Sequence, residues 1–275
     1  MRIVVTLLLA MLSFSASAAT IDEVLAGSQR TPANVARDVY RHPKEVLEFF
    51  GVKPDSTVVE VWPSSGWWSE ILGPYLRDQG VYYAAGFATT LPEPPAYVLN
   101  AQRGLADKLA SNPLFDHVVL TQLGYPGRMV MAPPGRVDIV LTFRNVHNWL
   151  GGGYAEDMFK AFHSTLKPGG VLGIVEHRAK PGASIDMMKK TGYMTEEYVI
   201  GLATQAGFVL DGRSDVKANP KDTTDHPSGV WSLLPNLRVC QPMPEGAEKT
   251  ACIEQYSAIG ESDRMTLRFR KAAAQ

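Results

Sequence analysis

Cysteine is scarce in this sequence, two among 275 residues, and net charge is nearly absent, at −1. The two, Cys240 and Cys252, have no C-x-x-C partner, which argues against a structural zinc site. Basic residues are scattered, with the densest run at Arg268 to Lys271. The clustered lysines and arginines that neutralise phosphates are therefore missing, and no nucleic-acid partner is expected. There is no Walker loop and no H-E-x-x-H spacing. Ser64-Ser65-Gly66 follows a strand pattern as a hydrolase elbow would, but Trp62 or Pro63 stands where G-x-S-x-G needs its first glycine, so an esterase is not expected. Beyond residue 19 no apolar stretch is long enough to cross a bilayer, and no stable membrane insertion is expected.

What is present is an ordinary globular balance, 45% hydrophobic and 20% charged residues, enough for one large domain or one domain with an insertion. The first segment reads as a leader. Met1-Arg2 is a short positive start, Ile3 to Leu12 is apolar but for Thr6, and Ala16-Ser17-Ala18 is the small-x-small pattern of a cleavage site. The expected division is a signal peptide over 1–19, cut near Ala18 or Ala19, and a mature domain over 20–275; the alternative is an uncleaved anchor. The mature chain is expected in an exported compartment, the bacterial periplasm first. An even cysteine count in an oxidising compartment suggests one bridge, Cys240 to Cys252, with two free thiols as the alternative.

Residues 21–50 read as helical, with Thr31-Pro32 a helix opening and His42-Pro43 separating two helices. Thr57-Val58-Val59-Glu60-Val61-Trp62 is a β-branched strand, followed by a turn at 63–66 and a helix over 67–76. Further strands are expected at 81–85, 117–120, 137–141, 171–176, from 208 and at 265–269. Helices are expected at 96–109, 154–166 and from the Thr195 cap through Ala206. Glycines 151 to 153 read as a flexible link. Residues 217–263, proline-containing and without a core-sized apolar pattern of their own, read as an insertion before the last strand. Strands alternating with helices imply a mainly parallel sheet covered on both faces, with ligands outside the carboxyl ends of its strands.

Two stretches carry a resemblance. Glu60-Val61-Trp62-Pro63-Ser64-Ser65-Gly66 occupies the place of the glycine-rich first motif of class I S-adenosylmethionine-dependent methyltransferases, and Phe162-His163-Ser164-Thr165-Leu166-Lys167-Pro168-Gly169-Gly170-Val171-Leu172 resembles their helix-turn-strand signature leading to the fifth strand. The resemblance spans roughly 46–270. More narrowly, Glu60 to Trp68 and Gly260 to Met265 resemble a group of exported predicted methyltransferases. It implies an α/β fold: a Rossmann-like, seven-stranded, mostly parallel sheet with helices on both faces and an antiparallel last strand. It also implies S-adenosylmethionine as cofactor, held by Glu60, Trp62, Pro63, Ser64, Gly66, Trp67 and Phe143, and a small-molecule substrate. The sequence departs from the pattern at two places. Pro63, Ser64 and Ser65 replace most of the loop glycines, and Tyr83-Ala84-Ala85-Gly86 has no carboxylate at the end of the second strand.

The loop after the fourth strand, Thr142 to Trp149, holds the expected catalytic residues. His147 could act as a general base, Asn145 and Asn148 could orient a nucleophile, and Arg144 could hold a carboxylate or phosphate bidentately. The plainer alternative pairs Arg144 with a structural carboxylate. Glu176 is expected chiefly in an ion pair with Arg178, with orientation of a histidine as the alternative. Asp225-His226-Pro227 could form a lid. Glu261-Ser262-Asp263-Arg264 reads as a turn held by its own charges. One of Trp62, Trp67 and Trp68 could stack on a ligand. Two other functions stay open: a binding protein of this fold that has lost the cofactor, and a metal site from His147, His177 and His226.

Overall fold

The computed structural model describes residues 18–90 and 93–273. The expected leader therefore lies outside the described residues but for Ala18 and Ala19. The strands are β1 (Thr57–Val61), β2 (Val81–Phe87), β3 (Val119–Leu123), β4 (Val137–Phe143), β5 (Leu166–His177), β6 (Phe208–Ser214) and β7 (Arg264–Lys271). They form one sheet in the order β3-β2-β1-β4-β5-β7-β6. The first five are parallel, and β7 runs antiparallel to both β5 and β6.

Period-two alternation explains how β1 is buried on both sides. Val58 joins a core with Leu47, Phe50, Ile71 and Leu72, contributed by α4 (Pro43–Phe50) and α5 (Ser69–Leu76). Its neighbours Val59 and Val61 face the opposite core with Trp149, Phe159, Phe162 and Val199. These come from α7 (Val146–Gly152), α8 (Ala155–Thr165) and α10 (Glu196–Gln205). The remaining helices are α1 (Ile21–Leu25), α2 (Pro32–Val35), α3 (Asp38–Arg41), α6 (Ala96–Ala110), α9 (Ile185–Thr191) and α11 (Ala247–Ile259). No described helix is long and apolar enough to cross a membrane.

Several expectations needed correction. Gly151 and Gly152 are not a flexible link: they complete the last turn of α7, which burial of Trp149 and Leu150 anchors, and Gly153 stops it at φ 76°. The third strand lies two residues later than expected, on a sheet edge where Val119 and Leu120 stay exposed. The fifth strand begins at Leu166, paired with Val137 before a register shift, so Lys167 to Gly170 lies within it. Helices α9 and α11 had no counterpart in the sequence reading. Segment 217–263 also has a small apolar cluster, Leu233, Cys240, Cys252 and Tyr256, and its two cysteines are bridged with Cα atoms 5.8 Å apart.

Candidate functional site

Above the carboxyl ends of β1 and β4 lies a cavity of about 540 Å³. Glu60, Trp62, Pro63, Ser64, Ser65 and Trp67 line it from the first loop, and Phe143, Arg144, Asn145, His147 and Asn148 from the loop after β4. Arg37, Arg41 and His177 line it on one side, with Val230, Trp231, Leu234, Pro235 and Asn236 as a further wall. Of the expected cofactor-binding residues, only Gly66 is outside the lining. It shapes the loop instead, at φ 75°, where an added Cβ would meet the Lys108 and Leu105 side chains at 3.0 and 3.2 Å.

The first loop keeps a glycine-like path without the glycines. Trp62 and Ser64 both take left-handed conformations, φ 51° and 53°, at a cost of roughly 1–2 kcal/mol each. The amides of Ser64 and Ser65 donate to no acceptor among the described residues, whereas Gly66 N–H bonds to Pro63 O at 2.9 Å. Left-handed φ turns the Trp62 indole across the end of the sheet. Its Nε1 donates to Leu123 O at 2.9 Å, and its ring packs 4.8 Å from Phe87 and 5.8 Å from Trp149. Beyond it lies a second recess of about 430 Å³, lined by Trp62, Phe87, Tyr97, Val98, Leu123 and Tyr125 among others. Trp67 and Trp68 are core residues, 4% and 3% exposed. Trp67 is tied to Asn34 O, and Trp68 stacks on Phe143 at 4.2 Å.

Glu60 is buried beneath this loop. Its carboxyl accepts hydrogen bonds from the Tyr82 hydroxyl and, at 3.4 Å, from Ser69 Oγ. Burial pushes it up to about 7, with both hydroxyl bonds pulling the other way.

The loop after β4 is organised by Glu176, the next-to-last residue of β5. One carboxylate oxygen accepts Val146 N–H at 2.6 Å and His147 N–H at 3.3 Å. The other accepts His177 N–H at 2.8 Å and meets His147 Nδ1 at 3.1 Å. A carboxylate held by amides can only accept, so Nδ1 of His147 is the donor of this pair, and in the neutral ring Nε2 is the nitrogen left to accept. The expected ion pair between Glu176 and Arg178 does not form: Arg178 pairs with Asp263, Asp215 and Glu196 instead. Asn145 is 7% exposed and spends both Nδ2 hydrogens on Val61 O and Thr142 Oγ1, tying the ends of β1 and β4 together. His177 is buried, with Nδ1 2.5 Å from Ser262 Oγ; burial and then the nearby His147 hold it well below the ordinary histidine range, hence neutral.

His147, Glu176 and His177 offer ligand atoms within 4.8 Å of one another, so metal binding needs testing. Both Glu176 oxygens already take two donors each, and Nδ1 of His147 is one of them. The chemistry of this donor set is that of a hydrogen-bonded pair rather than a metal centre. His226 is not part of the group. It pairs with Asp222 at 2.9 Å and packs on Tyr256. The lid expectation fails with it, since residues 225–227 do not line the cavity; Trp231 of the same segment does.

Arg144, at φ 61°, makes no ion pair and no side-chain hydrogen bond among the described residues. The plainer expectation, a structural carboxylate partner, is thereby corrected. Residues missed from sequence are Arg37 and Arg41 on and beside α3, and Glu261, which Arg37 Nε meets at 2.6 Å and Arg41 Nε at 3.5 Å. Glu261 also pairs with Arg264, as its own turn was expected to. Burial would raise the Glu261 carboxyl, but Arg264, Arg41, Arg37 and Arg144 together hold it far below the usual range.

No protein-family model matches the sequence, and no curated protein matches it. Solved structures do. A SAM-dependent methyltransferase from Aquifex aeolicus is 17% identical, with a TM-score of 0.53 over 72% of this chain and 94% of that one. The [4+2]-cyclase SpnF is 15% identical, TM-score 0.59, with 92% of each chain covered. Geranyl diphosphate C-methyltransferase from Streptomyces coelicolor A3(2), solved with Mg2+, geranyl diphosphate and S-adenosyl-L-homocysteine, is 14% identical, TM-score 0.52, over 90% of this chain and 87% of that one. The cyclase among them shows that the likeness is one of fold, not of reaction. With its 3-2-1-4-5-7-6 strand order and antiparallel β7, the chain has the Rossmann-like fold of class I methyltransferases.

Proposed function

We propose that this chain is an S-adenosylmethionine-dependent methyltransferase acting on a small molecule, with His147 as general base. The observation that carries the reading is the Glu176–His147 pair, held by three backbone amides at the cavity over the strand ends. The residues present fit the donor in two respects. The unengaged amides of Ser64 and Ser65 offer donors to a carboxylate. The aromatic recess beyond Trp62 suits an adenine. One contact of the family is missing, because β2 ends in Ala85-Gly86-Phe87 and supplies no carboxylate to ribose hydroxyls.

When bound, S-adenosylmethionine supplies an electrophilic methyl group. Nε2 of His147 would take the proton from the acceptor's oxygen or nitrogen, freeing its electron pair for the methyl group, with the demethylated donor as the leaving group. Glu176 holds the imidazole in the tautomer this requires and faces the positive charge that forms on it. Asn145 fixes the loop. The reading includes export, with a mature chain over 20–275 whose segment 217–263 is an insertion. The leader pattern and the Cys240–Cys252 bridge support it.

Calorimetric titration with S-adenosylmethionine and S-adenosylhomocysteine tests the proposal. Binding at micromolar strength is expected, with His147→Ala retaining it while methyl transfer falls on the order of 10²–10⁴-fold. No binding at millimolar ligand would overturn the methyltransferase reading. It would leave a repurposed binding protein of the same fold.

A further inference from the structure

The wall of the cavity formed by α3 and the β4 loop holds more positive charge than the chain neutralises. Arg37, Arg41, Arg144 and Arg264 surround one carboxylate, Glu261. Glu60 reaches Arg41 and Glu176 reaches Arg144, and both carboxylates are already engaged by hydroxyls or amides. Even with both ionised, cations outnumber carboxylates. Arg41 is only 3% exposed, yet its Nε and Nη2 have no hydrogen-bond partner, and neither has Nη2 of Arg37. Arg41 is held over the Trp67 ring at 4.5 Å, and Lys217 Nζ bonds its carbonyl oxygen at 3.1 Å, so it is fixed in place rather than free to swing into solvent. Burial and the adjacent Arg264 lower Arg144 to about 10, the direction expected of a cation among cations.

Buried guanidinium N–H groups left without an acceptor are costly, and planar forks suit bidentate contact with a tetrahedral oxyanion. The methyl donor does not relieve the excess, because its ammonium and sulfonium outweigh its single carboxylate. We propose that Arg37, Arg41 and Arg144 form a binding site for a doubly charged oxyanion on the acceptor, a phosphate monoester. The identification of that ligand as an acceptor rests on the methyltransferase reading; the anion site stands on the arginines alone.

The test is calorimetric titration of the mature, oxidised protein with inorganic phosphate, with and without saturating S-adenosylhomocysteine. One phosphate per chain is expected, with affinity changed less than about threefold by S-adenosylhomocysteine. Arg144→Gln and Arg37→Gln should each weaken it tenfold or more, while the unliganded Arg144→Gln protein unfolds at the same temperature as wild type or higher. Should Arg144→Gln fail to fold, the half-buried Arg37→Gln, together with the phosphate-dependent rise in wild-type unfolding temperature, carries the test. Absence of saturable phosphate binding, or binding indifferent to the substitutions, overturns the proposal. One-for-one displacement of phosphate by S-adenosylhomocysteine also overturns it, by giving the arginines to the donor's carboxylate. Phosphate binding without any S-adenosylhomocysteine binding defeats the methyltransferase reading and upholds the anion site.

Discussion

Glu176 accepts three backbone N–H groups and the Nδ1–H of His147, so one carboxylate sets both the shape of the β4 loop and the tautomer of the base. Replacing it by Gln turns one of its two acceptor oxygens into a donor, and the two N–H groups which that oxygen served lose their acceptor. Glu176→Gln is expected to lower kcat roughly 10–100-fold with KM and donor affinity unchanged. A variant whose KM rises while kcat holds would mean that Glu176 only shapes the pocket. Glu60 makes a different prediction. Its folded-state pKa is raised from 4.5 to about 7, so folding favours the protonated form. The stability this group allows is fully present below the unfolded value and is lost as pH rises through 7. Glu60→Gln removes that dependence and is expected to be more stable than wild type at pH 8, by on the order of 3 kcal/mol, with little difference at pH 4. Urea unfolding at the two pH values decides it; equal gains at both would show that charge is not the cause.

Elements were legible where one periodicity dominated. The strands β1 and β4 are short β-branched runs between turns, and α10 carries a Thr195 cap whose side chain accepts Tyr198 N–H. They were illegible where stability comes from outside the segment. Helix α11 shows almost no apolar face; it is held through Cys252 and Tyr256 against Leu233 and Cys240. That packing bears on the site, since Leu234, Pro235 and Asn236, next to Leu233, line the cavity. Reducing the Cys240–Cys252 bridge, which closes a separation of 12 residues, should cost about 3 kcal/mol in the chain-entropy model. Hydrogen exchange is expected to rise first in residues 229–259, while the strands keep their protection. Uniform loss of protection across the sheet would show instead that the segment folds as one with the core.

At the scale of the whole molecule, a mainly parallel sheet covered on both faces followed from alternating strands and helices, and its antiparallel last strand from the family resemblance, but the strand order and the assembled site did not. Arg37 meets Glu261 across 224 positions and His177 meets Ser262 across 85, and no local spacing announces either contact. Trp62 and Ser64 show the same limit, because a left-handed backbone without glycine leaves no compositional mark. The start of the described chain bears on the expected cut. Thr20 opens α1 with a reciprocal cap: Glu23 N–H bonds its Oγ1 at 3.3 Å, and its own N–H bonds Glu23 Oε2 at 2.8 Å. A cut after Ala19 leaves this cap whole and puts a new ammonium beside the Glu23 carboxylate, strengthening the bond by charge. Expression of the full-length chain in a bacterium with an oxidising periplasm is therefore expected to yield a soluble form beginning at Ala19 or Thr20, by intact mass. A mass that retains Met1, in the membrane fraction, would establish the uncleaved anchor instead, and the Thr20 cap would then serve to set the helix off from a tether.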